Sequence, residues 1–374
     1  MSPDRPGVIL AGGIRSHQEN YASAFASAGC RLLAVGAAPG LGESETGRHA
    51  ELAASLGLPL LPLDQAVALP EATIASISVD MMHRARVATL CAQAGLHLYL
   101  DKPLAGSPAD ATAIAAAVRA VGVGAQVFSH ATTPWAQAAQ AAIREGRLGR
   151  ILAIHADMLM AKGMPSALPS KPRKERSIAD FRQDVAKREL TDMGIYPVSL
   201  VAWLLDQRAV SVTAVTANHF FAEHLSHDVE DYGAMLVDFE DGATASITCG
   251  RVGWQSWRRP FLSRVIIVGE RDTLVFDSEP AELIATSGRG VPAPARNALD
   301  PMEMWLSTRS GPRPQPAISG IALADEGSRD VAAFIAALAS GVSSGIGIDA
   351  AAHHCAIIAA AYRSAAEERA VAVA

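Results

Sequence analysis

Residues 7–13 read Gly-Val-Ile-Leu-Ala-Gly-Gly, an apolar run closed at once by two glycines and followed by a helix-like stretch through Ala28. The run is too short for a helix and ends in a turn signal. It predicts a buried β-strand that turns tightly into a helix. The same rhythm repeats outward from it. Arg31–Gly36 is the next strand and residues 47–57 a helix ending at Gly57. Ile74–Val79 follows, then a helix over about 84–94 closed by Gly95, the strand Leu96–Leu100, a helix from Pro108 to about Val121, and the strand Gly124–Ser129. Strands alternating with helices build a doubly wound parallel sheet, whose ligand lies beyond the carboxyl ends of the strands.

Past about residue 131 the pattern changes. A helix near 135–146 leads into Arg150–Met160, and residues 210–277 alternate with period two, as in Tyr232–Phe239 and Ala243–Cys249, with turns at Glu240-Asp241-Gly242 and Gly269-Glu270. This predicts a large, mostly antiparallel open sheet. Six prolines between 287 and 316 mark a loop or insertion, and two helices, about 325–340 and 349–367, close the chain. At roughly 100 to 200 residues per domain, the length of 374 residues suits two domains. We expect a Rossmann-like dinucleotide-binding domain over 1–130 and an α+β domain for substrate binding and oligomerisation over 131–374.

Composition narrows the function classes. Half the residues are hydrophobic, and 32 Lys plus Arg face 38 Asp plus Glu for a net charge of −6 spread along the chain. That excludes disorder and offers no footprint for nucleic acid or an anionic membrane, so a small-molecule partner is expected. Cys30, Cys91, Cys249 and Cys355 are far apart, with no CxxC pair, which reads as reduced, buried thiols. No run reaches the roughly 18–20 apolar residues of a membrane span and no leader-like segment opens the chain, so a cytoplasmic protein is expected. His219, His224 and His227, with Asp228 and Glu230 nearby, lack the HxxxH spacing of a helical metal site, and no metal is expected. Lys171–Arg176 reads as a solvated loop, although over a cleft it would favour an anionic substrate.

A dinucleotide fold needs glycines after its first strand so that backbone N–H groups approach the pyrophosphate. Against GxGxxG, the turn Leu10-Ala11-Gly12-Gly13-Ile14-Arg15 keeps only Gly12, while Arg15 brings a guanidinium suited to phosphate. The second strand ends Val35-Gly36-Ala37-Ala38-Pro39, without the carboxylate that holds the ribose 2′-hydroxyl of NAD. This leaves room for NADP, with Arg48 or Arg15 at the 2′-phosphate, or for weak or absent nucleotide binding. The cofactor contacts expected are Gly12, Gly13, Ile14, Arg15, Asp101 and Lys102.

Two further segments carry chemistry. Leu96–Leu100 runs into Asp101-Lys102-Pro103, a carboxylate and an ammonium at the sheet edge. Some ninety residues on comes Asp192-Met193-Gly194-Ile195-Tyr196-Pro197, where Asp192 and Tyr196 share a face if helical. With AGLHLYLDKP, EGRLGRI and DMGIYP the chain resembles the Gfo/Idh/MocA oxidoreductases, the family of glucose–fructose oxidoreductase and inositol dehydrogenase, over nearly its whole length. The resemblance implies NAD(P)-dependent oxidation or reduction of a sugar, polyol or related ring, and a C-terminal sheet that mediates homodimers or homotetramers. The chain departs from the family at Asp101 in place of Glu, at Val79–His83 in place of the PN segment, and at Lys187–Leu190 in place of a glycine run. His17 and His97 match family positions and are expected to be structural.

Oxidising a carbinol needs a base beside the nicotinamide. Tyr196 matches the family's His or Tyr position, and a nearby ammonium favours its phenolate over a free phenol titrating near pH 10. Lys102 is expected to hold the substrate hydroxyl, Tyr196 to act as acid/base and Asp192 to orient substrate, with the roles of Lys102 and Tyr196 exchangeable. The bland alternatives are a Lys102–Asp101 salt bridge and a structural Tyr196. Competing functions are NAD-dependent glycoside hydrolysis and a ligand-sensing or interaction protein that has lost catalysis.

Overall fold

A computed structural model describes residues 5–13, 17–38, 40, 43–161, 188–221, 224, 229–252, 261–278, 281–287, 297–300, 317–320 and 326–374. The chain is α/β and builds two sheets. The first holds β1 (Gly7–Ala11), β2 (Arg31–Ala37), β3 (Leu60–Pro62), β4 (Ala72–Ile77), β5 (His97–Leu100) and β6 (Ala125–Val127). Between them run α1 (His17–Ser27), α2 (Glu43–Leu56), α3 (Leu63–Val67), α4 (Met81–Gln93) and α5 (Pro108–Val121). These six strands pair in parallel in the order β6-β5-β4-β1-β2-β3. The order reverses between β1 and β4, which opens the crevice where a doubly wound sheet takes its ligand.

Local chemistry explains the punctuation. Asp80 caps α4 by accepting from the Met82 amide, while Ser107 caps α5 from the Asp110 amide, with Pro108 in the first turn and left-handed Gly122 ending the helix. Each satisfies N–H or C=O groups that a helix end leaves open. The third strand expected over Ile74–Val79 sits two residues earlier, because Asp80 must leave the sheet to cap α4.

The second sheet forms after α6 (Pro134–Arg144). It contains β7 (Ile151–Ala161), then, beyond α7 (Glu189–Asp192) and α8 (Ile195–Leu205), β8 (Ala209–Ala217), β9 (Tyr232–Phe239), β10 (Thr244–Val252), β11 (Phe261–Gly269), β12 (Asp272–Ser278), β13 (Ala281–Ser287) and β14 (Ala317–Gly320). Two helices, α9 (Glu326–Ser340) and α10 (Ile348–Glu367), and the short strands β15 (Ile346–Gly347) and β16 (Val371–Ala372) close the chain. The strand order is β14-β13-β12-β11-β7-β10-β9-β8-β16, and only the β7–β10 pair is parallel. Alternation buries one face, including Ile154, Ala156, Met235, Val237, Ala245, Ile247, Val265 and Ile267, against the largely apolar α8. Trp135 of α6 stacks on Phe276 at 4.0 Å between ring centroids, which pins that helix to the sheet. Burying such faces is the main stabilising term, at roughly 25 cal/mol per Å² of apolar surface.

Some expectations need correcting. β3 and β15 were not foreseen among the strands of the first sheet, nor β13 and β14 in the second. β15 pairs antiparallel with β6, and α9 packs on α1, so late segments complete the first sheet. Most of the proline-rich stretch 287–316 lies outside the described residues, as does Lys171–Arg176.

Candidate functional site

The site lies at the carboxyl edge of the first sheet, where β1, β4 and β5 end together. Gly12 has φ of 91° and leads the chain out of β1; a Cβ there would stand 2.3 Å from Val79 Cγ1 and 2.6 Å from the Ser78 carbonyl oxygen. Only glycine permits both the left-handed backbone and the close passage over the end of β4. Beside it, a Cβ on Gly13 would meet the His49 ring at 3.0 Å and the Arg48 carbonyl oxygen at 3.3 Å, so α2 lies against the turn. His49 Nδ1 is buried there without a hydrogen-bond partner among the described residues. Burial, then the charge of Arg48, lower the His49 pKa and keep the ring neutral. Of the turn residues expected at the cofactor, Ile14 and Arg15 lie outside the described residues.

Asp101 ends β5 and is buried at 2% exposure. It was expected at the cofactor, but its carboxylate is turned inward. It accepts from His17 Nδ1 at 3.0 Å, Tyr21 Oη at 2.8 Å, Ser78 Oγ at 3.3 Å and the Lys102 amide at 2.8 Å. A carboxylate with four protein donors orients its surroundings and has little left for a nucleotide. Burial alone would raise its pKa, but His17, Arg84 and Lys102 hold it well below the usual carboxylate range. In return the Asp101 charge raises the His17 pKa. Arg84, fully buried on α4, donates to the carbonyls of Val79, Asp101 and Pro103 and so ties the ends of β4 and β5 together. The Lys102–Pro103 peptide is cis.

Lys102 does not bridge to Asp101. Its Nζ donates at 2.7 Å to Asp192 Oδ1 and at 2.7 Å to the Asp192 carbonyl oxygen, and it sits 4.5 Å over the Tyr196 ring. The structure thus brings together Lys102, Asp192 and Tyr196. Gly194 makes the geometry possible, because a Cβ there would lie 2.6 Å from the Leu190 carbonyl oxygen and 2.9 Å from Cys249 Sγ. Burial would lower the Lys102 pKa, but the Asp192 carboxylate, then Tyr196 and Asp101, raise it, and the amine stays charged. Asp192 is held well below the carboxylate range by Lys102 and Arg251 despite its burial.

The cluster extends to Arg251 and His130, which the sequence did not single out, and to His224, which it noted. Arg251 of β10 donates from Nη2 to Asp192 Oδ2 at 2.6 Å and from Nε to Glu189 Oε1. His224 Nε2 stands 3.8 Å from the same Glu189 oxygen, which puts one of the three noted histidines into the cluster; His227 lies outside the described residues. The alternating strand held a signal for Arg251, since it continues the inward parity of Ala243, Ala245, Ile247 and Cys249, all buried. A cation at such a position requires anionic partners. His130, after β6, stacks on Tyr196 with ring centroids 4.6 Å apart and an interplanar angle of 21°. Behind it, Asp330 of α9 accepts from Tyr99 Oη at 2.8 Å and Thr132 Oγ1 at 2.9 Å. A narrow cavity lined by Lys102, Phe128, Ser129, Tyr196 and Ser199 adjoins the pair.

Among the described residues no group of three or more His, Cys, Asp or Glu is placed to hold a metal ion, and no helix is long and apolar enough to cross a membrane. All four cysteines are free and buried.

Residues 136–275 match the family model of the GFO/IDH/MocA C-terminal domain. No curated protein sequence matches the chain. Among solved structures, a levoglucosan dehydrogenase in complex with NADH and levoglucosan is 20% identical over 99% of this chain and 100% of its own, with a TM-score of 0.78. An oxidoreductase domain protein from Kribbella flavida is 19% identical over 99% of each chain, with a TM-score of 0.77. An NAD binding oxidoreductase from Klebsiella pneumoniae is 20% identical over 99% of each chain, with a TM-score of 0.74. At such identities the likeness is one of fold, along the whole chain.

Proposed function

We propose, on the premise that residues 136–275 form a GFO/IDH/MocA C-terminal domain, that this chain is an NAD(P)-dependent oxidoreductase acting on a CH–OH group of a sugar, polyol or related carbohydrate. Residues 1–130 take the dinucleotide and 131–374 the substrate. The observation that carries this is the convergence of Lys102, Asp192 and Tyr196 beyond the end of β5, on the same carboxyl edge of the sheet as the crevice between β1 and β4, where a doubly wound sheet receives its ligand.

The nucleotide fits the residues present. Gly12 and Gly13 offer backbone donors in the turn between β1 and α1. The buried Nδ1 of His49 stands beside them without a partner among the described residues. Ala37 and Ala38 put no carboxylate at the end of β2, and Arg48 lies on the helix against the turn; both favour NADP over NAD. When bound, the nicotinamide supplies or accepts the hydride.

The remaining work falls to this chain. An ammonium has three N–H groups, and Lys102 gives two to Asp192. The third is left for the substrate oxygen. Because its pKa is raised, Lys102 acts as a charged donor that stabilises negative charge growing on that oxygen, and it is no base. Tyr196, across the ammonium, takes the hydroxyl proton in oxidation and returns it in reduction. Asp192 orients Lys102, holding it through Oδ1 while Oδ2 takes Arg251.

Titration with NADH and NADPH by nucleotide fluorescence, followed by a screen of sugars and polyols at the reduced-nicotinamide band, tests this. Binding and a substrate-dependent change are expected; no binding at near-millimolar nucleotide overturns it. Val210, Val215, Leu236 and Leu152 stand exposed on the second sheet, an apolar face suited to a homodimer or homotetramer, which light scattering will count. Four free thiols suit a reducing compartment such as the cytoplasm.

A further inference from the structure

Arg251 touches neither the proposed substrate nor the nucleotide turn, yet like Lys102 it makes two hydrogen bonds within the cluster. It leaves β10 on the buried side and spans α7 from its first residue to its last, gripping Glu189 with Nε and Asp192 with Nη2. Glu189 is fully buried and Arg251 is 17% exposed. The four groups alternate in sign along one line: Lys102, Asp192, Arg251, Glu189. Along this line of described residues two positive charges face two negative ones, as a buried ionic cluster requires.

The two cations divide the Asp192 carboxylate between them. Oδ1 accepts from Lys102 at 2.7 Å and Oδ2 from Arg251 at 2.6 Å, so the carboxylate plane is fixed from both sides. With only Lys102 bound, the carboxylate would be free to rotate, and the ammonium would follow it. The helix itself has other anchors: Thr191 donates from N and Oγ1 to Tyr362 Oη at 3.2 Å, and the Leu190 amide donates to Glu230 at 3.3 Å. Losing Arg251 therefore frees the Asp192 side chain more than it frees α7.

We infer that Arg251 is a positioning residue of the reaction: it locks Asp192 so that Lys102 keeps one N–H aimed at the substrate oxygen. The inference rests on the oxidoreductase reading above. A displacement of the reacting groups by about 1 Å costs on the order of 100-fold in rate, which sets the size of the effect.

The variant to make is Arg251→Met together with Glu189→Gln, which removes an opposite-charge pair at once and leaves Asp192 paired with Lys102. Its kcat should fall about 10- to 100-fold, by the cost of a misplacement of up to 1 Å, while the KM for the carbohydrate and the Kd for NAD(P)H stay near the wild-type values. A purely structural role would lower the melting temperature without that split. Its crystal structure should show Asp192 in a new rotamer and Lys102 Nζ displaced along with it. This second readout needs no turnover. An unchanged kcat, or Asp192 still bonded to Lys102 in its original rotamer, overturns the positioning role. Wild-type protein that binds no nicotinamide nucleotide counts against the oxidoreductase reading instead. If the double variant does not fold, Arg251→Lys carries the test, because it keeps the charge and reaches one carboxylate of the two: a wild-type kcat refutes the role, and an intermediate loss supports it.

Discussion

Lys102 and Asp192, 90 positions apart in the chain, meet through two hydrogen bonds of 2.7 Å, one to the carboxylate and one to the main-chain oxygen. The double bond makes the contact directional. A salt bridge alone would let the ammonium swing about the carboxylate, whereas a second acceptor on the backbone fixes two of the three N–H vectors and therefore the third.

Replacing Lys102 by Ala should lower turnover by about 100- to 1,000-fold, the typical cost of removing one preorganised donor at a growing negative charge. Nucleotide affinity should stay within a few-fold, since the glycine turn is untouched. Steady-state kinetics with a fluorescence-derived Kd checks both; near-normal turnover would return Lys102 to a structural role.

Tyr196→Phe keeps the ring under the ammonium and stacked on His130 but removes the hydroxyl. If the hydroxyl is the proposed acid/base group, its loss should cost about 100- to 10,000-fold near neutral pH. Lys102 stays charged well into the alkaline range, so an ionisation seen in the oxidative rate below pH 10 belongs to another group. A rate profile that keeps its limb in Tyr196→Phe would move the base to His130.

Asp330 gives a stability prediction with a definite sign. Burial pushes its pKa up from 3.8 to about 6, so between those values the unfolded chain has released a proton that the folded chain still holds. Stability from this group is then lost as pH rises from about 4 to 6, by on the order of 3 kcal/mol at 1.36 kcal/mol per unit. Asp330→Asn cannot ionise and retains an acceptor for Tyr99 or Thr132. Urea unfolding of both proteins at pH 4.5 and 7 should show the variant gaining on the wild type at the higher pH; parallel values would show that Asp330 titrates normally.

Gly12→Ala forces a left-handed φ on a residue with a side chain and drives a methyl into Val79 and Ser78. A loss of about 1–3 kcal/mol is expected from the backbone alone, with NAD(P)H affinity falling as the turn shifts. Thermal unfolding and nucleotide titration measure the two effects.

Arg48→Ala should weaken NADPH more than NADH, because a 2′-phosphate loses a cation that a 2′-hydroxyl does not need. Equal losses for the two nucleotides would remove Arg48 from cofactor choice.

Much of this was legible in the sequence for physical reasons. The run ending at Gly12-Gly13, the strand before Asp101-Lys102-Pro103 and the alternation through residues 210–277 are local patterns, and local patterns set local structure. β3 escaped because Leu60–Pro62 is three residues long with a proline at its end, and β15 because two residues carry no period. Of the cluster, Lys102 stood out as a charge at a sheet edge, and Asp192 and Tyr196 by their i, i+4 spacing. Arg251 required knowing which face of β10 is buried. The inward turn of Asp101 required knowing where His17, Tyr21 and Ser78 stand, at 84, 80 and 23 positions' separation; no short window contains that information.

The pairing of β15 with β6 and the seat of Asp330 beneath Tyr99 bear on how the protein is made. Val127 leaves the ribosome long before its partner Ile346 is synthesised, a delay on the order of ten to forty seconds at ~5–20 residues per second. Through that interval the nascent first sheet has its β6 edge without a partner and an unfilled slot for α9. An unpaired strand edge of that kind is a template for aggregation until its partner arrives.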